Sequence, residues 1–164
     1  MKIEHIAIVY KKSVYQKQVL EAKTTQPISK LIEDNHPSVR KILPSHHKHL
    51  ECLEYVQDFL TKEKIEFSLF QRNQNFDEST FDLILSVGGD GTFLDASKNV
   101  SEKYMLGVNS CPNDSVGRFS AAYKENFSDF IRDIISDQIK PTVLTRLSVR
   151  LQGKTLIPAL NDVL

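Results

Sequence analysis

Residues Leu83–Thr92 read LILSVGGDGT, an aliphatic run that stops on Gly-Gly-Asp-Gly-Thr. Apolar residues without alternation are the pattern of a strand buried on both faces, as in a parallel sheet. Three glycines within four positions follow, and the reading expects them to take left-handed backbone angles and bring the main chain close to a ligand. Asp90 stands among them, at the carboxyl end of the strand. A helix is expected over Thr92–Val100, with Thr92 in its first turn. A glycine turn that feeds a helix start presents unpaired N–H groups, which suits an anion, and phosphate is the anion expected. A carboxylate inside a phosphate loop needs a reason, because it repels phosphate. It either holds Mg²⁺ that bridges the phosphates or accepts a proton from the hydroxyl that attacks a phosphoryl group. The plain alternative is a tight strand-to-helix turn whose Asp only caps the helix.

The rest of the chain frames that turn. His5–Tyr10 (HIAIVY) reads as a first buried strand. One helix is expected from about Ser13 and a short one over Ser29–Asp34. Pro37 and Pro44 bracket a loop, after which Ser45 caps a helix over His46–Glu63, where Leu50, Leu53, Val56 and Leu60 share a face. Ile65–Phe70, Phe81–Val87 and Tyr104–Val108 read as further strands, and Lys124–Gln138 as an amphipathic last helix. From Lys140 the pattern changes. Thr142–Leu151 alternates, Gly153 turns and Thr155–Leu164 returns, as in a β-hairpin. Strand and helix alternating gives an α/β fold with a parallel, Rossmann-like sheet, leading into a β-rich element. Ligands of such sheets sit beyond the carboxyl ends of the strands, where Gly88–Thr92 and Asn109 both fall.

Composition narrows the classes. At 164 residues the chain suits one compact domain, and 21 basic against 21 acidic residues argue against a nucleic-acid surface. Apolar content of 40% is ordinary for a folded domain, and no apolar stretch reaches membrane-spanning length. Met1-Lys2-Ile3-Glu4 runs straight into a strand and leaves no room for a signal or transit peptide. Cys52 and Cys111 lack motif spacing and fit ordinary thiols in a reducing compartment, with the cytoplasm as the expected location. His46, His47 and His49 invite a metal reading. Their spacing does not put three imidazoles on one helix face, so solvated or capping histidines are expected and no residue is assigned as a metal ligand. Arg118 either neutralises phosphate or pairs at the surface; Arg146 and Arg150 receive no role.

The motifs together resemble a family. Gly88–Thr92 with Phe93-Leu94-Asp95-Ala96-Ser97 resembles the NAD kinase superfamily, whose Gly-Gly-Asp-Gly is shared with diacylglycerol and sphingosine kinases. Leu106-Gly107-Val108-Asn109 with the loop Ser115–Phe119 after it, the stretch Thr145–Val149 and the segment Pro158–Val163 resemble three further NAD kinase stretches, in order and spacing. The long insert ending in His46-His47-Lys48-His49 and the widened loop Ser110–Ser115 are most similar to the mitochondrial-type branch. Two departures stand out. Asp162 replaces a customary Glu, one methylene shorter, and the chain stops at Leu164, where family members continue into a β-rich domain.

The resemblance implies Mg²⁺-dependent transfer of phosphate from ATP, or polyphosphate, to the 2′-hydroxyl of the adenosine ribose of NAD. It implies Asp90 as the catalytic carboxylate, with Gly88, Gly89, Gly91, Thr92, Asn109, Phe119, Asn161 and Asp162 binding nucleotide or phosphate. Residues 1–140 would be the α/β nucleotide-binding domain and 141–164 the start of the β-rich domain, through which the parent protein would form a homo-oligomer. Two rivals remain. One is a lipid kinase of the diacylglycerol or sphingosine type, although those commonly carry an acidic pair right after the glycine motif, whereas here Asn161-Asp162 lies far downstream. The other is a nucleotide-binding module too incomplete to catalyse.

Overall fold

The computed structural model describes residues 2–22, 27–156 and 158–160. Its centre is a parallel sheet of β1 (His5–Tyr10), β2 (Glu66–Gln71), β3 (Leu83–Gly88), β4 (Tyr104–Asn109) and β5 (Ala122–Tyr123), in the order β2-β1-β3-β4-β5. All six residues of β3 are buried, as its unbroken apolar run demands of a central strand. The period of two then splits its side chains between two cores. Leu83, Leu85 and Val87 join Ile6 and Ile8 of β1 on one face, under α2 (Ile42–Lys62) and α4 (Phe127–Ile135). Ile84 joins Ala7 and Val9 on the other face, together with Ala96 of α3 (Asp90–Ala96). Helices therefore cover both faces, and every crossover brings the carboxyl ends of the strands to one side.

Several boundaries differ from expectation for local reasons. Helix α2 begins at Ile42, not His46, because a proline in the first turn lacks only an N–H that has no intrahelical acceptor there. Pro44 thus sits inside the helix, and the Ser45 N–H bonds Lys41 O at 2.9 Å instead of Ser45 capping. Its inward face carries Cys52, Leu53, Val56, Phe59 and Leu60, and Leu50 is exposed. A π-helical turn, Gln16–Leu20, and α1 (Pro27–Glu33) lie between β1 and α2. Strand β5, only two residues long, has too short a pattern to be read from sequence.

The hairpin expected after Lys140 is much reduced. Among the described residues β6 (Arg150–Leu151) and β7 (Lys154–Thr155) pair, with one more bridge between Leu147 and Ala159. Gln152 and Gly153 both have positive φ, the two-residue turn whose twist suits a hairpin. Val143, Leu147, Leu151 and Leu156 are exposed. Residues 157 and 161–164 of the expected return strand lie outside the described residues.

Strand β4 makes room for the chain that follows it. A side chain on Gly107 would run into the backbone of Phe119 and Ser120, and neither can swing aside. Gly107→Ala is expected to cost about 1–3 kcal/mol of unfolding free energy. Gly89→Ala, whose nearest new contact is Ser115 Oγ at 3.5 Å, should lie within about 0.5 kcal/mol of the parent. Urea midpoints of the two variants check the contrast, and equal midpoints would contradict it.

Candidate functional site

The glycine motif turns the chain from β3 into α3 within two residues. Gly88 still pairs with Asn109 of β4, and the Ser110 N–H reaches Gly88 O at 3.0 Å. Gly89 is extended (φ −118, ψ −172), and its carbonyl accepts the first helical bond from the Thr92 N–H at 2.8 Å. The left-handed backbone expected at Gly88, Gly89 and Gly91 is absent: among described glycines only Gly117 and Gly153 have positive φ. Gly88 is small for a packing reason instead, since a Cβ there would collide with Thr92 Oγ1. Thr92 is 1% exposed, and its hydroxyl has no partner among the described residues. It is turned into the fold against Gly88, not outward.

Asp90 opens α3, two residues before the expected helix start. Its Oδ2 accepts the Arg118 N–H at 3.0 Å and its Oδ1 the Phe119 N–H at 2.9 Å. One carboxylate thereby fastens the loop after β4 onto the start of the helix after β3. The Phe119 ring stacks on Phe93 of α3, 5.5 Å between centroids and 7° from parallel. Within the same loop Asn109 is spent locally: Nδ2 donates to Ser115 O (2.8 Å) and Oδ1 accepts the Cys111 N–H (3.0 Å). Gly117, at φ +60, passes so close to the Asn109 amide that a Cβ would not fit. The structure therefore brings Gly88, Gly89, Asp90, Gly91, Thr92, Asn109 and Phe119 to one end of the sheet. Asn161 and Asp162 lie outside the described residues.

Sequence reading missed what fastens this end from the α2 side. His49 is 1% exposed, not solvated. Its Nε2 donates to Lys11 O at 2.8 Å, which leaves Nδ1 to accept from the Ser110 hydroxyl at 2.9 Å. One imidazole thus joins the segments leaving β1 and β4. His46 is also buried, with Nδ1 2.7 Å from Ser13 Oγ. The i, i+3 spacing does place these two inward, as hydrogen-bonding groups of the interior. Arg72, unremarked in sequence, leans over Gly91 from the end of β2.

Burial pushes the His49 pKa down to about 4. The unfolded chain takes up this proton near 6.5 and the folded chain resists it, so the His49 contribution is complete above 6.5 and declines as pH falls towards 4. Lowering pH from 7.5 to 5 should cost the native chain about 2 kcal/mol through this residue. His49→Leu, less stable at neutral pH because Ser110 and Lys11 lose their partner, should show a shallower loss over the same interval. Urea unfolding at the two pH values tests this, and parallel losses would contradict it.

Comparison with known proteins finds relatives along most of the chain. The family described as the ATP-NAD kinase N-terminal domain matches residues 5–139. Among curated proteins, the chain is 32% identical over 140 residues to an NADH kinase of Arabidopsis thaliana, covering 74% of this chain and 44% of that protein. It is 28% identical over 145 residues to the mitochondrial NAD kinase 2 of Homo sapiens, covering 84% of this chain and 33% of that protein. Among solved structures, an NAD kinase from Archaeoglobus fulgidus in complex with ATP aligns with 88% of this chain and 40% of its own, at 24% identity and a TM-score of 0.44. The chain spans less than half the length of the curated relatives it matches. With the family match running from the first strand through the last helix, the chain belongs to the ATP-NAD kinase family and carries its N-terminal domain.

Proposed function

We propose that the protein containing this chain is an NAD kinase, which transfers the terminal phosphoryl group of ATP, or of polyphosphate, to the 2′-hydroxyl of the adenosine ribose of NAD. The observation that carries this reading is the Asp90 carboxylate, held at the carboxyl end of β3 by two backbone N–H groups inside the matched family domain. Each of its oxygens keeps a lone pair beyond the one those bonds use. Asp90 orients the attacking hydroxyl and receives its proton late in the transfer, a reaction that depends mainly on positioning and charge neutralisation. The N–H groups of Asp90 and Gly91 precede the first helical bond and are available to phosphate oxygens. Asn109 acts by shaping the loop that presents Phe119; Asn161 and Asp162 take the ribose and adenine contacts that the family resemblance gives them.

Mg²⁺ fits this site as an ion carried on phosphate. Among the described residues no three His, Cys, Asp or Glu side chains form a cage, and Asp90 is the carboxylate on hand with lone pairs to spare. A cation that keeps water and takes phosphate ligands suits such a sparse set. When bound, it neutralises the charge of the donor phosphates.

The alternative for the chain by itself is nucleotide binding without useful turnover, favoured by its covering less than half of its relatives. We read residues 1–140 as the α/β domain and 141–164 as the start of a β-rich domain, which would complete the site and form the oligomer interface. Exposed apolar side chains at Val143, Leu147, Leu151 and Leu156 support that reading. No described helix is long and apolar enough to cross a membrane. The two buried free thiols suit the cytoplasm, while several relatives are named mitochondrial.

In the full-length protein, Asp90→Asn should lower NADP formation by about 10²–10⁴-fold, with NAD binding weakened as well, since the amide nitrogen cannot accept the second backbone N–H. Turnover within tenfold of the parent would remove Asp90 from the chemistry. Phosphorylation of diacylglycerol or a sphingoid base in preference to NAD, in a parallel assay, would favour the lipid-kinase alternative.

A further inference from the structure

Arg72 follows the edge strand β2, and its turn is fastened on two sides. Its own N–H donates to Tyr10 O, the end of β1, at 2.8 Å. The next residue, Asn73, takes a left-handed angle (φ 71) and donates its N–H to Asp95 Oδ2 of α3 at 2.6 Å. The side chain then lies along α3, with Nη1 3.4 Å from where a Cβ would stand on Gly91 and Cζ and Nη2 at 3.8 Å. A Cβ at 91 would stand in ordinary van der Waals contact with the guanidinium, which lies directly beside this turn.

The charge of Arg72 is unmatched in this place. Asp95 is taken by Asn73 and Lys98, and Asp90 accepts the Arg118 and Phe119 amides without an ion pair to Arg72. Among the described residues Arg72 makes no ion pair. A guanidinium carries five donors in a fixed fork that matches phosphate oxygens. If Asp90 handles the attacking hydroxyl, the phosphoryl group under attack lies next to it, beside Gly91. An uncompensated carboxylate there would repel that group, and a cation across Gly91 offsets the repulsion.

We propose that Arg72 binds the polyphosphate of the phosphoryl donor, reaching across Gly91 to the oxygens of the group that is transferred. The assignment rests on the kinase reading above and extends it to a residue outside the glycine motif. It makes the turn after β2 part of the donor site and explains why that turn is tied to α3.

The test uses the full-length protein with Arg72→Gln and Arg72→Lys, together with Arg132→Gln on α4, a helix on the opposite face of the sheet from α3. Arg72→Gln should raise the KM for ATP, or lower kcat, by about tenfold or more, with the KM for NAD within about twofold. Arg72→Lys should recover part of the loss, since an ammonium keeps the charge without the fork. Arg132→Gln should behave as the parent. Parent-like kinetics in Arg72→Gln, an equal rise in both KM values, or the same defect in Arg132→Gln would overturn the proposal. Calorimetry with tripolyphosphate separates it from the kinase reading. Should the parent fail to phosphorylate NAD yet bind tripolyphosphate, with binding lost in Arg72→Gln, the polyphosphate contact stands and the kinase reading falls. Failure of the parent to bind tripolyphosphate, or equal binding in parent and variant, overturns the contact itself.

Discussion

The arrangement at the end of the sheet depends on one carboxylate and two amides. Asp90 accepts the Arg118 and Phe119 N–H groups, so that two chain segments leaving adjacent strands are held together by a charged acceptor. Hydrogen bonds to a charged group contribute about 1.5–3 kcal/mol each. The contact also sets side chains in place. With Phe119 N–H held, its ring lies flat on Phe93, and the chain between Asn109 and Gly117 closes over the Asn109 amide. The residue proposed to serve the reaction is therefore also the one that shapes the loop around it.

This dual use follows from the sheet. Parallel strands deliver every turn that leaves a strand to the same end, where N–H and C=O groups leave the ladder and need partners. At β3 and β4 those partners come from Asp90 and Asn109. At β1 and β4 they come from His49, whose two ring nitrogens join Lys11 and Ser110. At β2 the turn is held by Tyr10 O and by Asp95. Each of these groups is buried or half-buried and satisfied locally, which leaves Arg72 as a cation without an ion-pair partner among the described residues beside Gly91.

The strands that carry the site were legible because their signal is dense. His5–Tyr10 was read to the residue, and the strands beginning near Ile65, Phe81 and Tyr104 fall within two residues of their expected limits. For β1 and β3, burial on both faces imposes apolar residues nearly throughout, whereas the edge strand β2 keeps only a few apolar residues between polar ends. Four features were not legible. Pro44 reads in sequence as the end of a loop, although a first helical turn tolerates it. Gly88, Gly89 and Gly91 suggest left-handed backbone in sequence, but none adopts it, and Gly88 serves close contact with Thr92 instead. His46 and His49 read as solvated or capping in sequence, and their burial escapes that reading because Ser13 and Ser110, their partners across 33 and 61 residues, are not adjacent to them. The Asp90 contacts to Arg118 and Phe119 span 28 and 29 residues and leave no local pattern either.

Amide hydrogen exchange of Arg118 and Phe119 is the most direct measurement of that organising contact, compared between the native chain and Asp90→Ala. Both amides should exchange slowly in the native chain and at least about tenfold faster in the variant, with the amides of Leu83–Val87 unaltered. Equal protection of Arg118 and Phe119 in both proteins would show that the loop is held by something other than Asp90, and would contradict the account.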